Sequence, residues 1–167
     1  IEKLAFSSVF KPRVDRLRCF RGINTVAAMT LLTEIGDWRR FERPGQLMAY
    51  LGLVPSEHSS GEREQRGPIT KAGNSRCRHV LVQAAWSYRH RPAVGGRLQH
   101  RQRGQPPGVI GHAWKAQHHL YKLYHRIAAK KSSRIAAVAV ARELVGFLWA
   151  VMQELEMEQA ENLSTAA

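Results

Sequence analysis

Apolar residues return along most of this chain in steps of three and four, the period of a helix buried on one side. Residues 12–35, PRVDRLRCFRGINTVAAMTLLTEI, divide into two such pieces around RGIN, with Val14, Leu17 and Phe20 before it and Val26, Ala27, Met29 and Leu31 to Ile35 after it. This predicts two helices joined by a tight glycine turn, with Gly36 ending the second. Pro44 suits a helical first turn and Gly52 a helical end, which brackets a short helix over Gln46 to Leu51. Beyond Asn74 and Ser75, either of which can cap a helix, Cys77, Val80, Leu81, Ala84, Ala85 and Tyr88 fall at i, i+3, i+4, i+7, i+8 and i+11. Arg76, His79, Gln83 and His90 take the other face. Two more helices are predicted over about 112–131 and 133–160. In the second, Leu144, Phe147, Leu148, Val151, Met152 and Leu155 form a seam that fits either the core or a second copy.

The helical period breaks in two places. HSSGEREQRGPITKAGN, residues 58–74, is too rich in Gly, Pro and Ser for a helix, and its RGPIT reads as half of a small hairpin. Residues 91–111 hold three Pro and five Gly among basic residues and read as a linker or long loop. The tail ENLSTAA is expected to fray. The fold class is therefore mainly α. A helix-hairpin-helix-like N-terminal part and a short loop or hairpin insertion carrying Ser-Ser-Gly make up residues 1–90. A basic linker over 91–111, a helical extension over 112–160 and a tail over 161–167 follow.

Composition adds a partner. The chain has 167 residues, 44% of them apolar, enough for a real core, and a formal net charge of +13 with a pI of about 10.7. Residues 65–142 contain no Asp or Glu but sixteen Lys or Arg, and five acids follow at Glu143, Glu154, Glu156, Glu158 and Glu161. Cations with no acids nearby in sequence have phosphates as natural partners, so nucleic acid is expected. A membrane surface fits less well, because the cations spread over several segments instead of one amphipathic helix. IAAVAVARELVGFLWAVM, residues 135–152, carries Arg142 and Glu143 at its centre and reads as a packing helix, so no membrane partner is expected. No signal peptide is visible, and the first residue is Ile, which suggests a piece of a longer chain. Cys19 and Cys77 lack metal or disulfide spacing and read as buried thiols of a cytosolic protein. The eight histidines include no HExxH, so no metal site and no cofactor are expected within these residues.

Two stretches could carry chemistry. In LRCFRGINTVAAMTLL, Gly22, Asn24 and Thr25 occupy a turn that could bring backbone N–H groups to phosphate, with Asn24 left-handed and Thr25 as cap, or could be an ordinary helix-to-helix turn. In the second, Ser59 and Ser60 precede Gly61 among Arg63, Arg66, Lys71, Arg76 and Arg78. A serine attacking a phosphodiester needs cations nearby for the developing charge. The helix start GNSRCR supplies N–H groups and two arginines, a phosphate cradle even without catalysis. The same residues also read as a turn with solvated arginines. Trp86 and Trp114 could stack on bases, though helical spacing makes them core anchors as well.

Ordered blocks carry more than any single motif: G-I-x-x-x-x-A, E-I-G-D-x-x-R-F, G-L-x-P-S-E, S-S-G, G-x-I-T-K-x-G-N and A-A-W, running from about residue 12 to residue 90. In these blocks the chain resembles the C-terminal domain of bacterial insertion-sequence transposases of the one-ten, one-sixteen and nine-zero-two type. The resemblance implies a DNA recombinase whose RuvC-like half holds Mg²⁺ on acidic residues and whose C-terminal domain supplies a serine that links covalently to DNA. That serine carries over to Ser60, with Ser59 as the adjacent alternative. Nucleic-acid contacts carry over to Arg63, Arg66, Thr70, Lys71, Asn74, Arg76 and Arg78, and to Gly22, Asn24 and Thr25 in the hairpin turn. The implied partners are the element ends and target DNA, a structured guide RNA in some members, and further copies of the full-length protein, in the cytoplasm at the nucleoid. Asn24 replaces the usual second glycine and Arg21 stands where proline is common. The acids of the RuvC-like half have no counterpart here, so these residues alone are expected to bind nucleic acid without recombining it. The competing expectation is a non-catalytic helix-hairpin-helix-type module for DNA or RNA, with Ser60 a turn residue.

Overall fold

The computed structural model describes residues 2–60 and 63–165, with the backbone alone at 2, 57–60, 63–66, 162, 163 and 165. After one turn, α1 (Glu2–Ala5), come α2 (Lys11–Arg18), α3 (Thr25–Ile35), a 3₁₀ turn at Trp38–Arg40 and α4 (Pro44–Tyr50). An antiparallel hairpin, β1 (Pro55–Ser60) and β2 (Arg63–Ile69), leads into α5 (Ser75–Ala85), which runs on as a 3₁₀ turn at Trp86–Arg89. Then follow α6 (Gly96–Gln102), α7 (Pro107–Ala128) and α8 (Ser133–Thr165). The fold is mainly α, as the periodicity requires.

The spine is α8, 33 residues long and therefore about 50 Å from end to end. Ala136, Ala137, Val140, Ala141, Leu144, Val145, Leu148, Val151 and Met152 are each exposed by 1% or less. Their neighbours come from α2, α4, α5 and α7, all of which pack on α8. Gly146 leaves room for a side chain of α4: a Cβ there would sit 3.2 Å from Met48 Cε. The apolar seam thus meets the chain's own core, with Phe147 partly buried at its edge against His112 and His119 of α7 at 5.1 and 5.7 Å between ring centroids. Residues Ser133–Glu161 are long and apolar enough to cross a membrane, with a mean hydropathy of 1.8, but half of that window is buried inside the fold. The helix is a core helix.

The acidic block after residue 143 has an internal use. Arg13 of α2 grips Glu156 with two hydrogen bonds, Nε to Oε1 at 2.7 Å and Nη2 to Oε2 at 3.0 Å, and Arg16 donates to Glu158. The chain after α3 wraps the same region of α8: Trp149 Nε1 donates to the Phe41 carbonyl at 2.9 Å and Gln153 Nε2 to that of Trp38 at 2.8 Å. Trp38 is buried, and the Arg40 guanidinium lies over the rings of Phe41 and Tyr50 at 4.7 and 4.5 Å. The E-I-G-D-x-x-R-F block is therefore a packing device.

Residues 91–111 differ from a free linker. Gly95 is the N-cap of α6, Gly104 closes it at φ +76°, and Pro107 opens α7 five residues earlier than expected. Glycine and proline here punctuate helices, which is where their conformational preferences fit. Leu98 and Gln102 of α6 are buried, and Gln102 Nε2 donates to the Cys19 carbonyl at 3.0 Å. At the other end α8 stays helical to Thr165, beyond the expected start of fraying at 161.

Candidate nucleic-acid site: the serine hairpin and its base

The hairpin is seated on the end of α4 by its backbone. The Thr70 N–H donates to the Val54 carbonyl at 2.9 Å and the Lys71 N–H to that of Gly52 at 3.1 Å. Gly52 has φ +65°, and a Cβ on Gly73 would fall 1.9 Å from the Tyr50 carbonyl oxygen, so the two glycines let the strand base lie against the helix end. Lys71 has φ +55°, the one non-glycine residue in the left-handed region among the described residues. That conformation costs about 1 kcal/mol or more, which the surrounding contacts must hold in place.

Asn74 then starts α5. Its Oδ1 accepts from the N–H groups of Arg76 and Cys77 at 2.9 and 3.0 Å, and its Nδ2 donates to Glu34 of α3. The other Glu34 oxygen accepts from Arg76 Nη1 at 3.0 Å. The hydrogen bonds from Asn74 and then Arg76 hold the Glu34 carboxyl below the usual carboxylate range. Arg78 Nη1 donates to the carbonyls of Gly73 at 2.6 Å and Leu51 at 3.1 Å, bracing the same junction. Thr70, Lys71, Gly73 and Asn74 of G-x-I-T-K-x-G-N thus each have a physical task at the base. The expected phosphate cradle is reduced accordingly: two N–H groups of the α5 start are consumed by Asn74 itself. Thr70, Lys71, Ser75, Arg76 and His79 remain exposed, and Ser75, Arg76 and His79 line an open groove of about 470 Å³ with Thr30 and Val80.

Register separates the two serines. Pro55 pairs with Ile69, Glu57 with Arg66, His58 with Gln65, Ser59 with Glu64 and Ser60 with Arg63, with an irregularity after Pro55. Pro68 has no N–H for the ladder, and Ser56 Oγ donates to its carbonyl at 3.0 Å instead. Because strand residues alternate between faces, Ser60 shares a face with His58, Arg63 and Gln65, while Ser59 shares the other with Glu57, Glu64 and Arg66. Ser60 and Arg63 end the described strands, and Gly61 and Glu62 lie outside the described residues. From Pro55 to Ser60 is five strand steps, about 17 Å. The hairpin therefore brings Ser60 and Arg63 together and carries them away from Thr70, Lys71, Asn74, Arg76 and Arg78 at the base.

The helix-to-helix turn departs further from expectation. Gly22 has φ +83°, and a Cβ there would sit 2.6 Å from the Ala84 carbonyl oxygen of α5, so its inner side is packed against the protein. Asn24 is extended (φ −96°, ψ −178°), not left-handed, and it rather than Thr25 caps α3, accepting from Ala27 N–H at 2.8 Å. Arg101 Nη1 donates to the Ile23 carbonyl at 2.5 Å, and Arg21 Nη1 to that of Arg91 at 2.8 Å. Only the outer side of the turn, with Asn24 and Val26 exposed, is open to a ligand.

Sequence distance hid one partner. Arg76 lies in the acid-free stretch and pairs with Glu34, 42 positions earlier. Cys19 and Cys77 are fully buried, and burial pushes their thiols up to about 11 and about 12. Among the described residues no group of three or more His, Cys, Asp or Glu side chains could hold a metal ion.

Comparison with known proteins bears on these positions directly. The model of the Transposase IS116/IS110/IS902 family matches residues 14–99, from α2 through the hairpin into α6. The chain belongs to this family. A Sinorhizobium fredii protein carrying a transposase name, y4qE, is 50% identical over 142 residues, 84% of this chain and 36% of that protein. The transposase for insertion sequence element IS1533 of Leptospira borgpetersenii is 29% identical over 134 residues, 78% of this chain and 38% of its own length. That for IS1111A of Coxiella burnetii is 37% identical over 71 residues, 42% of this chain and 20% of its own. The chain spans little more than a third of the first two relatives. The family match contains the seating glycines, Lys71, the Asn74 cap and both serines.

Proposed function

We propose that these residues are the C-terminal, serine-carrying part of an insertion-sequence transposase, and that Ser60 is its nucleophile in DNA transposition. One observation supports this above others: in a chain of the transposase family, successive motif blocks fix a two-stranded hairpin rigidly at its base and carry Ser60 to its far end, opposite Arg63. In the step assigned to it, the Ser60 hydroxyl oxygen attacks a DNA phosphorus. A serine–phosphate bond forms, the bond to the leaving strand's sugar oxygen breaks, the hydroxyl proton passes to a base and the leaving oxygen takes up a proton. A strand hydroxyl from the other DNA end reverses the step, so the phosphodiester energy is kept and no nucleotide is consumed. Arg63, its partner in the register, is assigned to the charge that develops on phosphate. Arg66, Thr70, Lys71 and Arg76 extend a basic path toward the base, with Asn74 and Arg78 holding that base in shape. The outer side of the Gly22, Asn24 and Thr25 turn offers a further backbone contact.

The Mg²⁺-dependent chemistry of the whole protein is assigned to a RuvC-like part outside these residues, so the 167-residue chain should bind DNA without cutting it. Element ends and target DNA are the proposed partners, with a structured RNA and self-assembly belonging to the full-length protein in the cytoplasm. The second proposal, a non-catalytic binding module, draws on the self-capped turns at Asn24 and Asn74 and on the unpaired cations. One experiment separates the two. A full-length transposase containing these residues is incubated with donor and target DNA and Mg²⁺, denatured, and examined for a covalent protein–DNA adduct. An adduct present in wild type and absent in Ser60→Ala supports the nucleophile; binding with no adduct in either leaves a DNA-binding module.

A further inference from the structure

We propose that the exposed face of α7, with the turn that follows it, is a second DNA-binding surface, distinct from the serine hairpin, that holds the phosphate backbone of double-stranded DNA without reading its sequence. It rests on the transposase reading only for the choice of DNA as the nucleic acid.

The helix has 22 residues and is therefore about 33 Å long. One side is spent on the core, where Val109, Ala113, Ala116, Leu120 and Leu123 are buried against α8. The other side carries Lys115, Lys122 and Arg126, continued by Lys130 and Lys131 in the turn and Arg134 at the start of α8, all exposed. Steps of seven and four from Lys115 to Arg126 keep these three on one stripe, about 17 Å long at the helical rise, and Lys130 follows in the turn. None of the six forms an ion pair with an acid among the described residues.

The acids nearby lie at the start and the middle of α7, none among the described residues beyond His119. Glu154 Oε1 lies 3.9 Å from where a Cβ on Gly108 would be, beside the helix N-terminus. Glu143 lies 3.9 Å from His119, midway along the helix and one turn from Lys115 and Lys122. Toward the C-terminal half the positive field grows: His125 Nε2 is 3.0 Å from the Arg89 carbonyl oxygen, which sets the exposed Arg89 and Arg91 alongside. Cations in a last turn also answer the helix dipole, which accounts for Arg126 and the turn lysines but not for Lys115 and Lys122, which lie well before it.

Charge, not stacking, is what the surface offers. Trp114, 40% exposed, already meets His118 edge to face at 4.6 Å, and the Tyr121 ring lies 4.4 Å from that of His125. Single strands are gripped by free aromatic platforms as well as cations; a straight, rigid row of cations matches the regular phosphates of a duplex. The surface on residues 107–134 lies outside the family match at 14–99, and so apart from the serine hairpin that the match contains.

The test uses the 167-residue chain and a 30-base-pair duplex of arbitrary sequence, with binding followed by fluorescence anisotropy over a salt series. K115E/K122E/R126E, checked for folding by circular dichroism, should bind at least about tenfold more weakly, and the slope of log K against log salt should flatten by about three. The hairpin variant R63Q/R66Q, measured in parallel, should keep the α7 contribution, so a failure at the hairpin is told apart from a failure here. If the triple variant does not fold, K122Q alone should flatten the slope by about one. Wild-type affinity and slope in the folded triple variant overturn the proposal. So does a loss confined to single-stranded DNA or to RNA, with duplex DNA bound as before.

Discussion

Gly73 and Tyr50 touch backbone to backbone: a methyl group on Gly73 would lie 1.9 Å from the Tyr50 carbonyl oxygen and 2.8 Å from the Leu51 carbonyl carbon. Neither partner is the end of a flexible side chain that could swing aside. Gly73→Ala should therefore separate the strand base from α4 and disturb the hydrogen bonds of Lys71 and Arg78. The expected loss is about 3 kcal/mol or more in urea denaturation, at the upper end of overpacking costs. Gly45→Ala, whose Cβ meets nothing within 4 Å, is the control and should leave the midpoint nearly unchanged.

Glu34 ties α3 to the start of α5, and its two hydrogen bonds lower its folded pKa below the ordinary value of 4.5. A group with a depressed folded pKa adds stability that is present above its unfolded pKa and is lost as pH falls through the folded value. Wild type should thus be more stable than Glu34→Gln at pH 6 to 7. The gap should begin to narrow below about pH 4.5 and close once the folded carboxyl is protonated. Thermal melts of both proteins across that range check this; a gap independent of pH would assign the effect to packing.

Arg13 and Glu156 hold α2 on α8 through two parallel hydrogen bonds, with side chains 27% and 10% exposed. That is a fork-to-fork pair shielded from much of the solvent, the geometry in which an ion pair contributes measurably. A double-mutant cycle with Arg13→Ala and Glu156→Ala should give a coupling of about 1 to 2 kcal/mol. Lys11 and Asp15, an i,i+4 pair with the lysine 56% exposed, should give about 0.5 kcal/mol or less.

Local signals carried the helices well, because Cys77 to Tyr88 and Leu144 to Leu155 repeat with the helical period and Asn74 is a cap by type. What they meet is set elsewhere in the chain. No local pattern says that Gly22 faces Ala84, or that Arg76 finds Glu34 across 42 positions. The proline and glycine of residues 91–111 suggested a linker because composition does not tell helix punctuation from helix absence; the buried Leu98 and Gln102 decide it. At the candidate site, the Ser-Ser-Gly loop was legible as a hairpin insertion, but lysine gives no warning of a left-handed backbone at Lys71. The separation of serine tip from basic base comes from register, which side-chain chemistry alone does not fix.

That register also makes the two adjacent serines unequal. Ser60 pairs with Arg63 and shares its face with His58 and Gln65; Ser59 pairs with Glu64 and shares its face with Glu57 and Arg66. A nucleophile approaching a phosphodiester gains from a facing cation and loses from a facing carboxylate, since both act on the anionic phosphate at close range. Adduct formation by the full-length protein should therefore fall by about a thousandfold or more in Ser60→Ala, which removes the proposed attacking atom. Ser59→Ala should keep it within about threefold, an effect below 1 kcal/mol. Glu64→Gln removes the carboxylate opposite Ser59 and should leave the Ser60 adduct intact, whereas Arg63→Gln should lower its rate by about 10²-fold, the scale of losing one charge-stabilising donor. Single-turnover assays with quantified adduct bands distinguish these four variants. An adduct that survives Ser60→Ala and disappears in Ser59→Ala would move the nucleophile to the opposite face of the hairpin.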